Sequence, residues 1–183
     1  MPLSMPMCES LDYFAGPADF EAAAGLIRRR RYGVIEAIDG RLVALRFRPW
    51  PKCVSLPEAM FLGNWHHEHR RADRCRLYFN QPRRFSNFLA MPYILCGRGT
   101  RLSTIRAALA ALDEIARIKQ TDALVADVLN YRISPRLLAR LGWSPHKPSR
   151  WHRHYIKRFY GEYPAAPLTP TRETASEPCY QTA

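Results

Sequence analysis

Ile105, Leu109, Leu112 and Ile115 recur every three or four positions between Ser103 and Lys119, so they share one face of a helix. Thr121 and Asp122 break that pattern, and Ala123 to Leu129 runs short and mostly apolar, as a buried strand does. Ser134 and Pro135 then mark a second helix start, serine as a cap for free amides and proline at the first helical position. Gly142 stands where a C-terminal glycine ends a helix. Leu102 to Trp143 therefore reads as helix, strand, helix. That order requires a sheet for the helices to cover.

The N-terminal half carries one equally firm signal. Tyr32 to Ile38 and Arg41 to Phe47 are apolar runs separated by Asp39 and Gly40. Asp-Gly suits a type I′ turn, whose two central residues both need positive φ, so a β-hairpin is expected here. A helix is expected over Ala18 to Arg30, with Asp19 and Glu21 near its start and Arg28 to Arg31 at its end, an order that complements the helix dipole. Pro49, Pro51 and Pro57 interrupt the chain, and a helix is expected over Leu56 to Arg70. Leu77 to Phe79 and Phe88 to Cys96 read as strands, although Pro92 removes one ladder donor from the second. A last strand is expected within Trp151 to Tyr160. We divide the chain into an irregular arm over 1–16, a single domain over 17–161 and a disordered, Pro- and Thr-rich tail over 162–183.

At 183 residues and 47% apolar, the chain can bury a substantial core. It has no run of roughly 20 apolar residues of the kind a membrane span needs. Met1 to Met7 has no basic start followed by an apolar segment, so it does not read as a signal peptide. Five scattered cysteines, Cys8, Cys53, Cys75, Cys96 and Cys179, form no C-x-x-C pair. That argues for reduced thiols in a cytoplasmic protein rather than a disulfide framework or a zinc ribbon. The formal charge of +12 makes this a basic protein, attractive to nucleic acid, anionic lipid or a phosphorylated small molecule.

Three segments carry a resemblance to a known family. Tyr93 to Thr104 is a strand end and a Gly- and Arg-containing loop, Ala123 to Asn130 a strand closing on asparagine, and Leu137 to Trp143 a short helix ending in Gly-aromatic. In this order, across residues 90–160, they resemble the second half of the GNAT-type N-acetyltransferases. The resemblance implies an α+β fold of GNAT-like type, with a mixed, mostly antiparallel sheet flanked by helices. It implies acetyl-CoA or another acyl-CoA as co-substrate and an amine as acceptor. The loop Arg98, Gly99, Thr100, Arg101, Leu102, Ser103 and Thr104 would then bind the coenzyme's pyrophosphate through backbone amides, because a helix N-terminus offers unpaired N–H groups to an anion. Arg98, Arg101 and Arg106 would add charge. Arg101 and Ser103 stand where the family's loop has small residues. Leu138 stands where the family commonly has a tyrosine that protonates the departing thiolate.

The same resemblance sets Asn130 and Tyr131 where substrate and cofactor meet, as donors to carbonyl or amide groups. Asn130 can equally be a turn residue and Tyr131 a packing residue. Asp127 and Glu36 are the candidate bases, Asp127 depending on which side of its strand it faces. Within His66 to His69, only residues 66 and 69 could converge from a helix, and Arg70, Arg71, Arg74 and Arg76 would repel a cation, so no metal is expected. In Trp151 to Tyr160, alternation puts His152, His154, Ile156 and Arg158 on one face and Trp151, Arg153, Tyr155, Lys157 and Phe159 on the other. Basic residues interleaved with aromatics can grip single-stranded nucleic acid. The leading expectation is an acyl-CoA-dependent N-acyltransferase, and the alternative is a non-catalytic nucleic-acid-binding module on the same scaffold.

Overall fold

A computed structural model describes residues 10–12, 17–51, 73–97, 99–128, 134–147 and 153–164. The elements are β1 (Ser10–Asp12), α1 (Pro17–Ala22), α2 (Ala24–Arg29), β2 (Tyr32–Ile38), β3 (Arg41–Arg48), β4 (Arg74–Asn80) and β5 (Phe88–Cys96), followed by α3 (Leu102–Lys119), β6 (Ala123–Asp127), α4 (Pro135–Arg140), β7 (Ser144–Pro145) and β8 (His154–Arg158). The strands form one sheet in the order β1-β3-β2-β4-β5-β6-β8-β7. Every neighbouring pair is antiparallel except β5 and β6. Parallel neighbours need a long crossover, and α3 supplies it. The expected α+β architecture, a mixed and mostly antiparallel sheet with flanking helices, is the one observed.

Local chemistry explains the main elements. Asp39 and Gly40 have φ of 49° and 76°, the two positive values that a type I′ turn demands. The Ser134 hydroxyl accepts the Leu137 N–H at 3.2 Å, and Gly142 ends α4 with φ of 82°. Along α3, Ala108, Ala111, Leu112, Ile115 and Ala116 are fully buried. They join Ile35, Leu45, Leu77, Phe79 and Leu89 of the sheet and Phe20 and Ile27 of the first two helices in a single apolar cluster. Lys157 on β8 reaches Asp113 of α3 at 2.6 Å, fastening the far side of the sheet to the helix. Burial raises the Asp113 carboxyl, and the Lys157 charge opposes that shift.

Several boundaries differ from expectation. Ser10–Asp12, assigned to an irregular arm, is a strand because it pairs with Ala44 to Arg46 of β3. The helix expected over Ala18 to Arg30 is broken into α1 and α2 at Ala23. Past residue 161, the Tyr163 hydroxyl donates to the Thr121 carbonyl at 3.0 Å and its ring lies 4.8 Å from Phe159. The helix suggested over Leu56 to Arg70, with His66 to His69, lies outside the described residues, as does Trp151 to His152. Strand β8 keeps the expected alternation only in part, since the adjacent Tyr155 and Ile156 are both buried.

One lysine locks the end of α3 to two loops. Lys119 Nζ donates to the Arg30 carbonyl at 2.6 Å and to Gln81 Oε1 at 3.0 Å. Burial, helped by the Arg31 charge, pushes its ammonium down to about 8. Between that value and the ordinary lysine range the unfolded chain binds a proton that the folded chain does not, so this group adds stability as pH rises. Thermal melts from pH 8 to 10 are expected to show a more positive Tm slope in the native chain than in Lys119→Met. Identical slopes would mean that Lys119 titrates normally.

Candidate active site where two strands part

Among the described residues, strands β5 and β6 are paired only over Phe88 to Met91 and Ala123 to Ala126. Beyond Met91, β5 runs on to Cys96 as a neighbour of β4, while β6, paired with β8 along its whole length, goes one residue further to Asp127. Among the described residues the ladder between these parallel neighbours therefore stops at Met91 and Ala126, and we call its unpaired end the opening. The parting coincides with an irregularity on β5. Tyr78 pairs with Tyr93 and Asn80 with Ala90, so Met91 and Pro92 together oppose Phe79. An extra residue on one strand is a β-bulge, which bends the strand, and a bulge tolerates proline's missing N–H. Pro92 thus marks the place where β5 leaves β6.

Backbone polarity in the opening follows from the register. The Gly97 N–H donates to the Arg74 carbonyl at 3.2 Å, which makes Cys75 and Cys96 a non-hydrogen-bonded pair. Alternation then turns the peptide groups of Ile94 and Cys96 away from β4 and toward the opening. Asp127 directly follows Ala126, the last residue of β6 paired with β5, and pairs across to His154 of β8. The Asp127 carboxylate lies 3.8 Å from His154 Nδ1, an ion-pair distance too long for a hydrogen bond. Both side chains are partly exposed, Asp127 at 32% and His154 at 42%, while the Asp127 oxygen nearest His154 is itself shielded from solvent.

The loop before α3 is tightly tied. Gly99 has φ of 92°, where glycine is at ease. Thr100 Oγ1 lies 2.9 Å from the carbonyls of both Arg74 and Gly97. The Arg101 N–H and guanidinium donate to the two carboxylate oxygens of Asp73 at 2.9 and 2.7 Å. Thr104 is fully buried, and its hydroxyl accepts the Gly40 N–H at 2.8 Å, docking the hairpin turn onto the helix start. Leu102 and Ser103 remain exposed. Burial would raise the Asp73 carboxyl, but hydrogen bonds from Thr104 and Arg101, with the Arg101 charge, hold it below its usual range. The chain thus brings its own carboxylate to the N-terminus of α3, to the amide and guanidinium that an anion would use.

Of the residues singled out from sequence, Gly99 to Thr104 lie together at the start of α3, and Asp127 stands at the mouth of the opening. Arg98, Asn130 and Tyr131 lie outside the described residues. Glu36 is not available as a base. It is buried on β2 and paired with Arg74, with Arg76 at 3.0 Å and with Arg46 at 3.9 Å. Leu138 is buried in the core, so it does not face a ligand. The sequence presents His154 only as part of a basic strand. Its place beside Asp127 depends on the β6–β8 register, for which the local sequence has no signal. Among the described residues, no group of three or more His, Cys, Asp or Glu side chains could hold a metal ion, and no helix is long and apolar enough to cross a membrane.

No protein-family model matches the sequence, and no curated protein matches it. Among solved structures the chain is similar to nourseothricin acetyltransferase, at 14% identity and a TM-score of 0.38, over 84% of this chain and 99% of that one.

Proposed function

We propose that the chain transfers an acyl group from an acyl-CoA to an amine, with the thioester arm lying in the opening between β5 and β6. The observation that carries this reading is the parting of the two strands after Met91. An amide-bearing, extended ligand can continue a ladder that a strand edge leaves open, and the arm of coenzyme A is such a ligand. The Ile94 and Cys96 peptide groups would be its partners. His154, oriented by Asp127, would take the proton of the attacking amine and could return it to the departing thiolate, a role that Leu138 cannot fill. Backbone N–H groups of β5 would steady the oxyanion. The pyrophosphate would meet the start of α3 near Ser103 and Arg106, in competition with Asp73 for Arg101.

Calorimetric titration with acetyl-CoA tests this. Saturable binding is expected, with stabilisation of about 2.7 kcal/mol at a hundredfold excess over Kd. Ser103→Glu is expected to abolish that binding by setting a carboxylate against the pyrophosphate. Unchanged affinity in the variant would remove the pyrophosphate from this loop. No heat and no shift in Tm with the native chain would end the acyl-CoA reading.

A second reading has its own observation. On the sheet face away from α3, Arg46, Arg74 and Arg76 surround Glu36, and Arg48 lies 5.7 Å from the centroid of the Tyr78 ring. Farther along, a groove of about 360 Å³ is lined by residues including Phe88, His146, Arg158 and Tyr160. Arginine and exposed aromatic rings are the elements of a single-stranded nucleic-acid surface. Such binding would weaken steeply with salt. An oligonucleotide that binds with no salt dependence, or not at all, would dispose of it.

A further inference from the structure

Cys75 and Cys96 face one another across β4 and β5, and their Sγ atoms lie 3.8 Å apart. Both are free thiols, Cys75 buried and Cys96 partly exposed. The pair is of the non-hydrogen-bonded kind, in which Cα atoms approach to about 4.5 Å and side chains come closest. That spacing falls inside the range a disulfide spans, about 4.4–6.8 Å. Closing the sulfur gap to about 2.05 Å therefore needs side-chain movement rather than a change of register.

We propose that Cys75 and Cys96 form a redox-active dithiol that exchanges with a low-molecular-weight disulfide to give a cross-strand disulfide. Cys96 is the attacking group because it is the accessible one. The hydrogen bond shared with Cys75 also holds its thiol below the usual range, against the opposing effect of burial. Its thiolate attacks one sulfur of the small disulfide, that S–S bond breaks, and one small thiolate leaves. Cys75, whose proton passes to the leaving thiolate, then attacks Cys96 Sγ and expels the second small thiol. Two protein thiols are oxidised by two electrons, and one small disulfide is reduced to two thiols that carry the two protons. Burial of Cys75 suits the resolving role, since only its neighbour can reach it.

The consequence would fall on the loop before α3. Gly97 and Thr100 are already bonded to the Arg74 carbonyl, and a covalent link one residue away would fix that loop and the adjacent edge of the opening. The dithiol chemistry stands whether or not the opening binds an acyl-CoA.

The test uses the full chain carrying Cys8→Ser, Cys53→Ser and Cys179→Ser, so that only this pair remains, treated natively with oxidised glutathione. Both free thiols are expected to disappear, with a Cys75–Cys96 linked peptide that lacks two hydrogens in mass spectrometry and is restored by dithiothreitol. Adding Cys75→Ser should stop the reaction at a glutathione adduct on Cys96. The same peptide mapping on the native chain serves if the triple variant folds poorly. A lasting glutathione adduct on Cys96 with Cys75 still free would overturn the proposal. So would two thiols that stay unreactive until the chain is unfolded.

Discussion

Replacing Glu36 with alanine is expected to cost the fold about 3–5 kcal/mol, the usual loss when one partner of a buried ion pair is removed. Glu36 is 4% exposed in the middle of β2, with Arg74 and Arg76 on the neighbouring strand both directed at Oε1. Without the carboxylate those guanidiniums face each other across a shielded site, with no other carboxylate among the described residues paired to them. Arg74 has the lesser access to water, its side chain being 25% exposed, and it would carry most of the penalty. Arg46, at 3.9 Å and 47% exposed, is screened and contributes little. Urea denaturation measures the loss directly. Glu36→Gln should recover only the hydrogen-bonding part, whereas Glu36→Leu combined with Arg74→Met should recover most of it by removing the stranded charge. A loss under about 1 kcal/mol in Glu36→Ala would mean that the cluster behaves as a surface network.

That cluster shows where reading a sequence stops. Elements specified by neighbours in the chain were legible: the I′ turn from Asp39 and Gly40, α3 from its three-and-four spacing, and α4 from Ser134, Pro135 and Gly142. Their conformations depend on φ, capping and periodicity, which are local. The strand order was not legible, because nothing in Arg41 to Arg48 says that it lies outside β2 rather than beside β4. Three-residue β1 has too few positions to show alternation. Glu36 reads as a candidate base in the sequence because its three arginines come from β3 and β4, separated from it in the chain and joined only by register. Asp73 was missed for the same reason. It precedes β4, and only the folded sheet carries it to Arg101 and the start of α3. In the sequence Pro92 only weakens the expectation of a strand over Phe88 to Cys96, by removing one ladder donor. Its actual place, at a bulge where β5 leaves β6, turns the same missing donor into the feature that shapes the opening.

His154→Ala is expected to lower acyl transfer by about 10²- to 10⁴-fold while leaving acyl-CoA affinity within about twofold, the pattern of a lost general base rather than a lost binding contact. His154 is 42% exposed, and Asp127 at the mouth of the opening lies 3.8 Å away, so its removal should cost the fold little beside the loss of rate. Asp127→Asn keeps the shape and removes the charge that would orient the ring and stabilise its protonated form, so a smaller fall in rate is expected. If the two act as a unit, the double variant should be no slower than His154→Ala alone, because an orienting group has nothing left to orient. Additive losses would instead make Asp127 an independent contributor. A His154→Ala enzyme with unaltered rate would place the proton transfer elsewhere, and Asn130 and Tyr131, next along the chain from β6, would be the residues to replace in turn.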